Sequence, residues 1–523
     1  MTGMEKKSTH WADIYADRII REKGAKDVYT CASGITPSGT VHIGNFREII
    51  SVDLVVRALR DRGCNVRFIY SWDDYDVFRK VPKDMPEREK LETYLRKPIT
   101  LVPDTKTGME NYARANEVAV EKLLPSVGIS PEYLYQAKRY RQGTYAEGIR
   151  NALLHKEEIK EILNEFRSVP LPEDWWPISV FSSFNNKDTT TVLSWDGEWT
   201  ITYRDDELNK TESIDIRTTP NTKLPWRIDW PMRWAYEGVD FEPAGKDHHS
   251  QGGSFDTSKR VVELFGANAP VSFKYDFITL KGGGKQSSSA GNGDSLQGVL
   301  DFYVPEVVRY LFASTRPNAE FSISFDLDVL KVYEDYDNCE RVYFGLVQVG
   351  DKKKEKMTRI YELSQVDGVP TEPGYQIPLR HLCNMLQVHD GNKDAVINSL
   401  KDITDSQAER LRKRCDCAWY WLHNGDVPED FKFSLNDDSK EKVEIDGEFL
   451  EAVRNLKVAV ENMDSQTEKE FAQSMYDAAG DLDKSEFFRV IYNVLIGKDK
   501  GPKLAQFIKS CGKDKILPIL TRY

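Results

Sequence analysis

The stretch DVYTCASGITPSGTVHIGNFREIISVDLVVRALRDRGCNVRFIYSW, residues 27–72, decides the fold class. Its start, Asp27 to Ser33, predicts a strand that ends at Gly34. The segment after the loop has apolar residues at helical spacing and stops at Gly63, and Asn65 to Trp72 predicts a second strand. A strand, a glycine loop, a helix and a strand in so short a segment predict a right-handed βαβ unit, the opening half of a Rossmann-type nucleotide-binding fold.

The loop inside this unit has the glycine spacing of a phosphate-binding P-loop but lacks the P-loop lysine. Gly34 and Gly39 are spaced as expected, but Thr40 follows directly and His42 comes two residues later. A helix N-terminus favours anions without a lysine, and an imidazole in the first turn can donate to a phosphate as charge develops on it. A glycine turn with a capping histidine explains this spacing equally well, so the glycines alone leave both interpretations open.

The rest of the chain predicts an insertion in this fold and a helical C-terminal region. Between residues 91 and 222, helical segments precede a hairpin around Asp196 and Gly197. The nucleotide-binding fold resumes at about residue 223, and after about Asn318 the pattern is largely helical. We therefore expect an α/β protein with a Rossmann-type catalytic domain that contains an insertion, followed by an all-α C-terminal region.

Composition limits the class of protein. The chain has 523 residues, of which 40% are hydrophobic and 30% charged, as in a soluble protein of several domains. No apolar run approaches the ~20 residues of a membrane span, and the N-terminus has no secretory pattern. The seven cysteines are scattered, which favours reduced thiols in the cytoplasm. The net charge of −12 argues mildly against a nucleic-acid coat protein but does not exclude a local basic groove.

The string PSGTVHIGN is more specific than the glycine spacing, and it resembles the HIGH signature of class I aminoacyl-tRNA synthetases. The resemblance implies that His42 and Asn45 contact the ATP phosphates, with Pro37, Gly39 and Gly44 beside them. No general base or covalent intermediate is implied, since positioning and charge stabilisation carry such a reaction.

A second segment, KGGGKQSSSAGN at residues 281–292, resembles the KMSKS loop of the same family. By itself it is typical of a flexible linker. The resemblance implies that Lys285 neutralises the leaving pyrophosphate, with Ser287 beside it. Gln286 and Ser288 stand at the methionine and second lysine of the motif, so the loop carries fewer cations than the family pattern.

Within this family the closer resemblance is to class I lysyl-tRNA synthetases. HWADIYADRII, WDDYDVFRKVP, WRIDWPMRWAYEGVDFEPAGKDH and GKDKGPKLAQFI carry it, and they extend from His10 to Ile508. It implies L-lysine, ATP and tRNA(Lys) as substrates, with Mg²⁺ arriving on ATP. It also divides the chain into half-domains at 1–90 and 223–292, a connective insertion at 91–222, a stem-contact-like linker at 293–345 and an anticodon-binding α-helix cage at 346–523.

A lysine pocket needs a carboxylate for the ε-ammonium, apolar walls for the methylenes and an anchor for the α-amino group. The candidates are Gly34, Thr36, Asp229, Trp230, Trp234, His248 and Tyr275. Without the resemblance, tryptophans at helical spacing with Pro231 opening a helix are more typical of a core.

Two further polar segments are candidates for the site. The segment GKDHHS resembles the part of the family that lies along the ATP ribose and adenine, with Gly245, Asp247 and His248 as candidates and His249 expected to be exposed. Three carboxylates, Asp73, Asp74 and Asp76, follow the second strand, where open α/β sheets bind ligands. They are equally suited to helix capping or to ion pairs with Arg79 and Lys80.

We expect no metal site in the protein itself. Residues 182–217 of the insertion contain no cysteine or histidine, and Cys415, Cys417 and His423 lack the spacing of a zinc site. Mg²⁺ is expected only through the ATP phosphates and water.

The helical third contains two segments, DKKKEKMTR (351–359) and RLRKRCDCAWYWLH (410–423), that mix cations with aromatic residues. Such a mixture suits a stacking platform for flipped bases, but a charged helix face with buried aromatics explains it as well. The partners expected are tRNA(Lys), lysine and ATP, with neither DNA nor a membrane. Two alternatives stay open: a glutamyl-specific class I synthetase, and a synthetase-derived tRNA-binding or regulatory protein with weakened activation.

Overall fold

A computed structural model describes residues 10–83, 85–281, 295–436 and 440–523. The strands in these ranges are β1 (Tyr29–Ile35), β2 (Val66–Trp72), β3 (Glu132–Tyr135), β4 (Ser179–Val180), β5 (Thr190–Trp195), β6 (Thr200–Asp205), β7 (Lys210–Asp215), β8 (Thr222–Lys223), β9 (Val239–Phe241), β10 (Ala244–Gly245), β11 (Lys274–Tyr275), β12 (Ile278–Lys281) and β13 (Phe321–Ser324).

The α-helices fall into two groups. Those before residue 282 are Trp11–Lys23, Ile43–Arg60, Arg88–Glu92, Tyr112–Leu123, Gln136–Arg141, Ala146–Leu154, Lys156–Asn164, Trp226–Glu237 and Ser254–Val261. Those after residue 294 are Leu296–Leu300, Pro305–Ser314, Asp328–Tyr343, Asp351–Ser364, Leu379–Val388, Lys393–Asn398, Asp405–Asn424, Gly447–Glu461, Glu468–Ala478, Lys484–Ile496, Leu504–Cys511 and Lys513–Thr521. We call Ile43–Arg60 the phosphate-loop helix and Trp226–Glu237 the tryptophan helix.

The predicted βαβ unit is present and lies at the centre of a parallel sheet. Its four strands are ordered β3-β2-β1-β9, and all neighbours are parallel. A backbone bridge from Phe241 to Val271, and the parallel pair β10 and β11, continue the sheet beyond β9. The order changes direction between β1 and β9, and open α/β sheets bind ligands at such a switch point, outside the carboxyl ends of the strands.

The predicted insertion contains an antiparallel meander, β5-β6-β7. Its first hairpin turns at Asp196 and Gly197, as the sequence predicts, with Trp195 opposite Ile201. The strands β4 and β8, before and after this meander, form an antiparallel pair. In contrast, β3 lies within residues 91–222 yet pairs with β2, so part of this range belongs to the central sheet.

The tryptophan helix does not begin at Pro231, so that prediction is wrong. The helix begins at Trp226, where the Pro225 carbonyl accepts hydrogen bonds from Ile228 and Asp229, each at 2.8 Å between N and O. Pro231 therefore lies inside the helix, where it has no N–H for the carbonyl four residues earlier. Gly238 ends the helix with a φ of 62°, in the left-handed region that glycine adopts without a steric cost.

Most of the chain after residue 294 is helical, as predicted. An exception is β13, which pairs in parallel with β12 from Phe321 opposite Ile278 to Ser324 opposite Lys281. One hydrophobic core extends from Trp11 to Val427 and joins sheet and helices, and a second is built mainly from the helices after residue 446. Among the described helices, none combines the length and apolar character needed to cross a membrane.

Candidate active site

A cavity of about 580 Å³ lies at the carboxyl ends of β1 and β2 and just beyond β9. This is where the switch point of the sheet predicts a ligand. The predicted site residues that line it are Gly34, Thr36, Asn45, Trp230, His248 and Tyr275. The cavity therefore brings together residues from the glycine loop, the tryptophan helix and the GKDHHS segment.

The phosphate-loop helix begins with His42 as its N-cap. The His42 Nδ1 atom accepts a hydrogen bond from the Gly44 N–H at 3.1 Å. Because Nδ1 accepts, the neutral ring carries its proton on Nε2, which is left to donate. His42 is exposed at the helix start, whereas Asn45 lines the cavity. The predicted capping role is thus present, and it is compatible with donation to a phosphate from the same ring.

At two glycines of this segment, close contacts leave no room for a side chain. A Cβ atom on Gly34 would lie 2.8 Å from the Ser71 carbonyl oxygen, across the β1–β2 pair. A Cβ atom on Gly44 would lie 2.8 Å from the His42 ring. Pro37 is buried, and the Asn116 side chain donates to its carbonyl at 3.2 Å. Gly39 is half-buried in the same loop.

Glu48 is a cavity-lining carboxylate that sequence analysis missed. It accepts hydrogen bonds from the Tyr275 hydroxyl at 2.5 Å, the Ser33 hydroxyl at 2.8 Å and the Gly34 N–H at 3.1 Å. Burial raises its pKa above the usual range in spite of these bonds. Its spacing was a usable signal, because it stands three residues after Asn45 and therefore on the same helix face.

Glu242 is the second missed carboxylate. It lines the cavity behind Trp230, is 9% exposed and accepts a hydrogen bond from the Trp234 indole N–H at 2.6 Å. Burial raises its pKa to about 7, and the negative charge of Glu48 adds to the effect. The sequence places Glu242 directly after β9, one strand away from the glycine loop.

Asp229, predicted to bind the ε-ammonium of lysine, does not line the cavity. It is 3% exposed, accepts from the Tyr140 hydroxyl and pairs with Arg233 at 3.2 Å. The Arg233 guanidinium also pairs with Asp73 at 2.7 Å and donates to the Ser71 hydroxyl at 2.6 Å. Asp229 faces this arginine because it lies one helical turn before it.

The carboxylates after β2 have other partners than Arg79 and Lys80. Asp73 pairs with Arg233, and Asp76 pairs with Lys223 and accepts from the Thr36 hydroxyl at 2.7 Å. Asp74 is turned away from the cavity and accepts from the Ala137 N–H at 2.7 Å. Asp73 thus ties the loop after β2 to the tryptophan helix, and Asp76 ties it to the segment that leads into this helix.

The three tryptophans of this helix form both core and cavity wall. Trp226 stacks on Trp230 with ring centroids 4.8 Å apart and an interplanar angle of 17°. Trp230 then contacts Trp234 at 4.8 Å, and the His248 ring meets Trp230 at 5.8 Å. Trp230 lines the cavity although it is only 4% exposed. One helix face therefore supplies both core and cavity wall, because residues at i, i+4 and i+8 lie above one another.

The GKDHHS segment is only partly as predicted. Gly245 lies in β10, and Asp247 is exposed without lining the cavity. His249, expected to be exposed, is half-buried with its ring 4.3 Å from that of Phe255, while His248 is the more exposed histidine. The segment bends back on itself, since the Phe255 N–H donates to the His248 carbonyl at 3.0 Å.

Lys285 and Ser287 lie outside the described residues, so their roles stay predictions.

Within the described ranges, no three His, Cys, Asp or Glu side chains are arranged to hold a metal ion. The three arginines of the segment 410–423 are engaged in ion pairs: Arg410 with Glu340 at 2.5 Å, Arg412 with Asp394 at 3.1 Å and Arg414 with Asp337 at 2.6 Å. This pattern favours the charged helix face over the stacking platform for that segment.

Comparison with known proteins gives one consistent result. Residues 9–367 match the family of tRNA synthetases class I (K). A lysine–tRNA ligase of Borreliella burgdorferi is 53% identical over 99% of this chain and 100% of its own length. That of Treponema pallidum is 52% identical over 99% of each chain, and that of Pyrococcus horikoshii is 39% identical over 97% of this chain and 98% of its own.

Among solved structures, a glutamate tRNA ligase of Elizabethkingia meningosepticum shares 13% identity with a TM-score of 0.44, covering 95% of this chain and 99% of its own. The family match covers the glycine loop, the tryptophan helix and the cavity between them. The resemblance first drawn from PSGTVHIGN is thereby confirmed, and the chain belongs to the class I (K) family of tRNA synthetases.

Proposed function

We propose that this protein is a lysyl-tRNA synthetase, which activates L-lysine with ATP and transfers the lysyl group to the 3′ end of tRNA(Lys). Relatives named lysine–tRNA ligase, more than half identical over nearly the whole chain, support this function. Within the structure, the observation that carries the proposal is the charge of the cavity. Two carboxylates there, the half-buried Glu48 and the buried Glu242, have no ion-pair partner among the described residues.

Two of the cations that line the cavity are already neutralised by other groups. Arg233 is paired with Asp73 and Asp229, and Lys223 is paired with Asp76. Buried carboxylates are costly unless a positive charge compensates them. Lysine brings two ammonium groups joined by an apolar stem, so it supplies one charge for each free carboxylate.

The same charges disfavour glutamate as the substrate. A γ-carboxylate in this cavity would meet Glu48 and Glu242 at close range, and like charges in a buried site repel strongly. The indole of Trp230 and the ring of Tyr275 offer apolar surface for the methylenes. We therefore assign Gly34, Thr36, Trp230, His248 and Tyr275 to the lysine pocket, together with Glu48 and Glu242 in the role first given to Asp229.

The reaction follows from the position of the loop. The lysine carboxylate attacks the α-phosphorus of ATP, the bond to the pyrophosphate oxygen breaks, and lysyl-adenylate forms. His42, through Nε2–H, and Asn45 stabilise the charge on the phosphate at the helix N-terminus. Lys285 and Ser287 are assigned to the pyrophosphate, and Mg²⁺ enters with ATP. A ribose hydroxyl of the tRNA 3′ end then attacks the carbonyl carbon, and AMP leaves.

The first experiment is ATP–pyrophosphate exchange with lysine or glutamate, each with and without tRNA. We expect exchange with lysine and none with glutamate. Exchange with glutamate alone would contradict the assignment of the pocket. Retained tRNA binding without any exchange would favour the alternative of a tRNA-binding protein that no longer charges tRNA.

A variant sharpens this experiment. Glu242→Gln keeps the shape of the side chain but removes the charge that an ammonium requires, so the KM for lysine should rise at least tenfold. The matched control is Glu263→Gln, an exposed carboxylate of the same half-domain, which should leave KM unchanged. Equal KM values in the two variants would remove Glu242 from the pocket.

A further inference from the structure

The glycine loop is held from outside by the helix Tyr112–Leu123, which lies in the range predicted as the insertion. Two side chains of this helix donate to adjacent carbonyls of the loop. The Tyr112 hydroxyl donates to the Ser38 carbonyl at 2.6 Å, and the Asn116 side-chain amide donates to the Pro37 carbonyl at 3.2 Å. The conformation of the loop therefore depends on residues that follow it by 74 and 79 positions in the chain.

Tyr112 is held firmly in its own place. It is 3% exposed, and its ring meets that of Phe78 with centroids 5.7 Å apart. Its backbone N–H donates to the Val102 carbonyl at 2.8 Å. Further along the same helix, Glu121 accepts from the Trp72 indole of β2 at 3.1 Å. Because ring and backbone are both fixed, the hydroxyl holds the Ser38 carbonyl in one direction.

The direction of this carbonyl determines where the next N–H group points. A peptide bond is planar and trans, so the Ser38 C=O and the Gly39 N–H point in opposite directions. Tyr112 therefore turns the Gly39 N–H away from its own helix. Among the described residues, no group accepts from this N–H, whereas the Ser38 N–H donates to the Thr36 carbonyl at 2.8 Å. The Gly39 N–H is thus left for a ligand.

The glycine at position 39 has no explanation in the backbone or in the packing. Its φ lies outside the left-handed region, and an added Cβ would have the Tyr112 hydroxyl oxygen as its nearest neighbour, at 3.9 Å. That distance is an ordinary contact, so the described part of the chain leaves room for a side chain here. A missing side chain does let an anion approach the backbone N–H closely, as phosphates do at the start of a helix.

We infer that Tyr112 is a positioning residue for ATP: its hydroxyl holds the Ser38 carbonyl, so that the Gly39 N–H donates to a phosphate of the nucleotide. The inference rests on the proposed function, because it adds a residue to the ATP site. A phosphate suits this N–H because His42, three residues later, caps a helix whose N-terminus attracts anions. Asn116 supports the same turn by holding the preceding carbonyl.

The test measures the Kd of ATP and of adenosine by calorimetry. Tyr112→Phe keeps the packed ring and removes only the hydroxyl, so ATP binding should weaken about fivefold while adenosine binding stays unchanged. The matched control is Tyr29→Phe, since Tyr29 is also 3% exposed and its hydroxyl donates to the Gly24 carbonyl at 2.7 Å. It should lower the Tm as Tyr112→Phe does and leave both Kd values unchanged. Equal losses of ATP affinity in the two variants, or equal losses for ATP and adenosine in Tyr112→Phe, would overturn the inference.

Gly39→Ala tests the N–H group itself. The added methyl group should weaken ATP binding about tenfold by keeping the phosphate away, without lowering the Tm or the affinity for adenosine. Unchanged ATP affinity in this variant would overturn the inference. A wild-type protein that binds ATP but forms no lysyl-adenylate would instead contradict the proposed function, and the binding comparison, which needs no amino acid, would still decide the role of Tyr112.

Discussion

The titration of one residue, Glu242, should make lysine binding depend on pH. Its pKa is raised to about 7, first by burial and then by the charge of Glu48. An ammonium binds the carboxylate and not the neutral acid, so the empty site becomes competent as pH rises through 7. We expect the Kd for lysine, measured by calorimetry, to fall roughly tenfold between pH 6 and pH 8, following the ionised fraction.

The stability of the empty protein should change in the opposite direction. Because the folded pKa of Glu242 lies above the unfolded value, the folded state binds the proton more tightly, and stability decreases as pH rises from about 4.5 through 7. Glu242→Gln should therefore have a higher Tm than wild type at pH 8 without lysine. It should also lose the pH slope of the lysine Kd, and a slope kept in this variant would assign the titration to another group.

His42 has two roles that two substitutions separate. His42→Ala removes both the ring and the N-cap, so adenylate formation should slow by ~10²-fold or more and the helix should lose ~1 kcal/mol. His42→Asn restores an N-cap but no imidazole, so its Tm should return towards wild type while the rate stays low. Single-turnover formation of lysyl-adenylate and thermal melts measure the two effects. A normal rate in His42→Asn would remove the ring from the mechanism.

At the scale of the element, the pairing of β1 with β2 determines where the glycine loop begins. Gly34 lies opposite Ser71, and an added Cβ would meet the Ser71 carbonyl oxygen at 2.8 Å and its Cβ at 2.9 Å. Gly34→Ala should therefore push the strands apart, lowering the free energy of unfolding by ~1–3 kcal/mol and weakening lysine binding with it. Urea unfolding and lysine calorimetry on the same samples measure both.

The control for this substitution is Gly447→Ala. Gly447 is the first residue of the helix Gly447–Glu461 and has nothing within 4 Å of an added Cβ. The free energy of unfolding should not fall, because alanine favours a helix over glycine. If both alanine variants unfold at the same urea concentration as wild type, the close approach of the two strands does not limit this position.

At the scale of the whole molecule, Arg309 joins the catalytic sheet to the helical region. Its fully buried guanidinium pairs with Asp53 of the phosphate-loop helix at 2.7 Å and donates to the carbonyls of Val127 at 2.8 Å and Leu363 at 3.0 Å. Asp53 also pairs with Arg57 at 3.0 Å. These contacts bring together segments that lie up to 256 residues apart in the chain.

Arg309→Met should destabilise the protein by ~3–5 kcal/mol, because it leaves buried acceptors without their donor. The midpoint of urea unfolding should fall accordingly, while the folded variant should bind lysine as wild type does. Arg18→Met is the control: its i,i+4 pair with Glu22 is on the surface and worth at most ~1 kcal/mol. A similar small effect for both would show that the buried contacts do not hold the two regions together.

The sequence by itself determined the features that are local along the chain. The βαβ unit of residues 27–72, the helix start at His42 and the turn at Gly197 depend on periodicity and on turn and capping residues within a few positions. The family was recognisable for the same reason, since its signature is a short contiguous string. The domain limits at residues 90, 222, 292 and 345 stay predictions, and so do the roles of Lys285 and Ser287.

Only the tertiary structure decided which charges in the cavity are free. Asp229 was a reasonable candidate from the sequence, but Arg233 neutralises it, and the same arginine reaches Asp73 from 160 residues away. Lys223 neutralises Asp76 across 147 residues. Glu48 and Glu242 are the cavity carboxylates that keep their charge unpaired. This result follows from the long-range pairing of the other carboxylates and from burial. The spacing along the chain can place Glu48 on the helix face of Asn45, but it cannot show that either carboxylate lacks an ion-pair partner, because the electrostatics of a buried site depend on every neighbour that the fold brings to it.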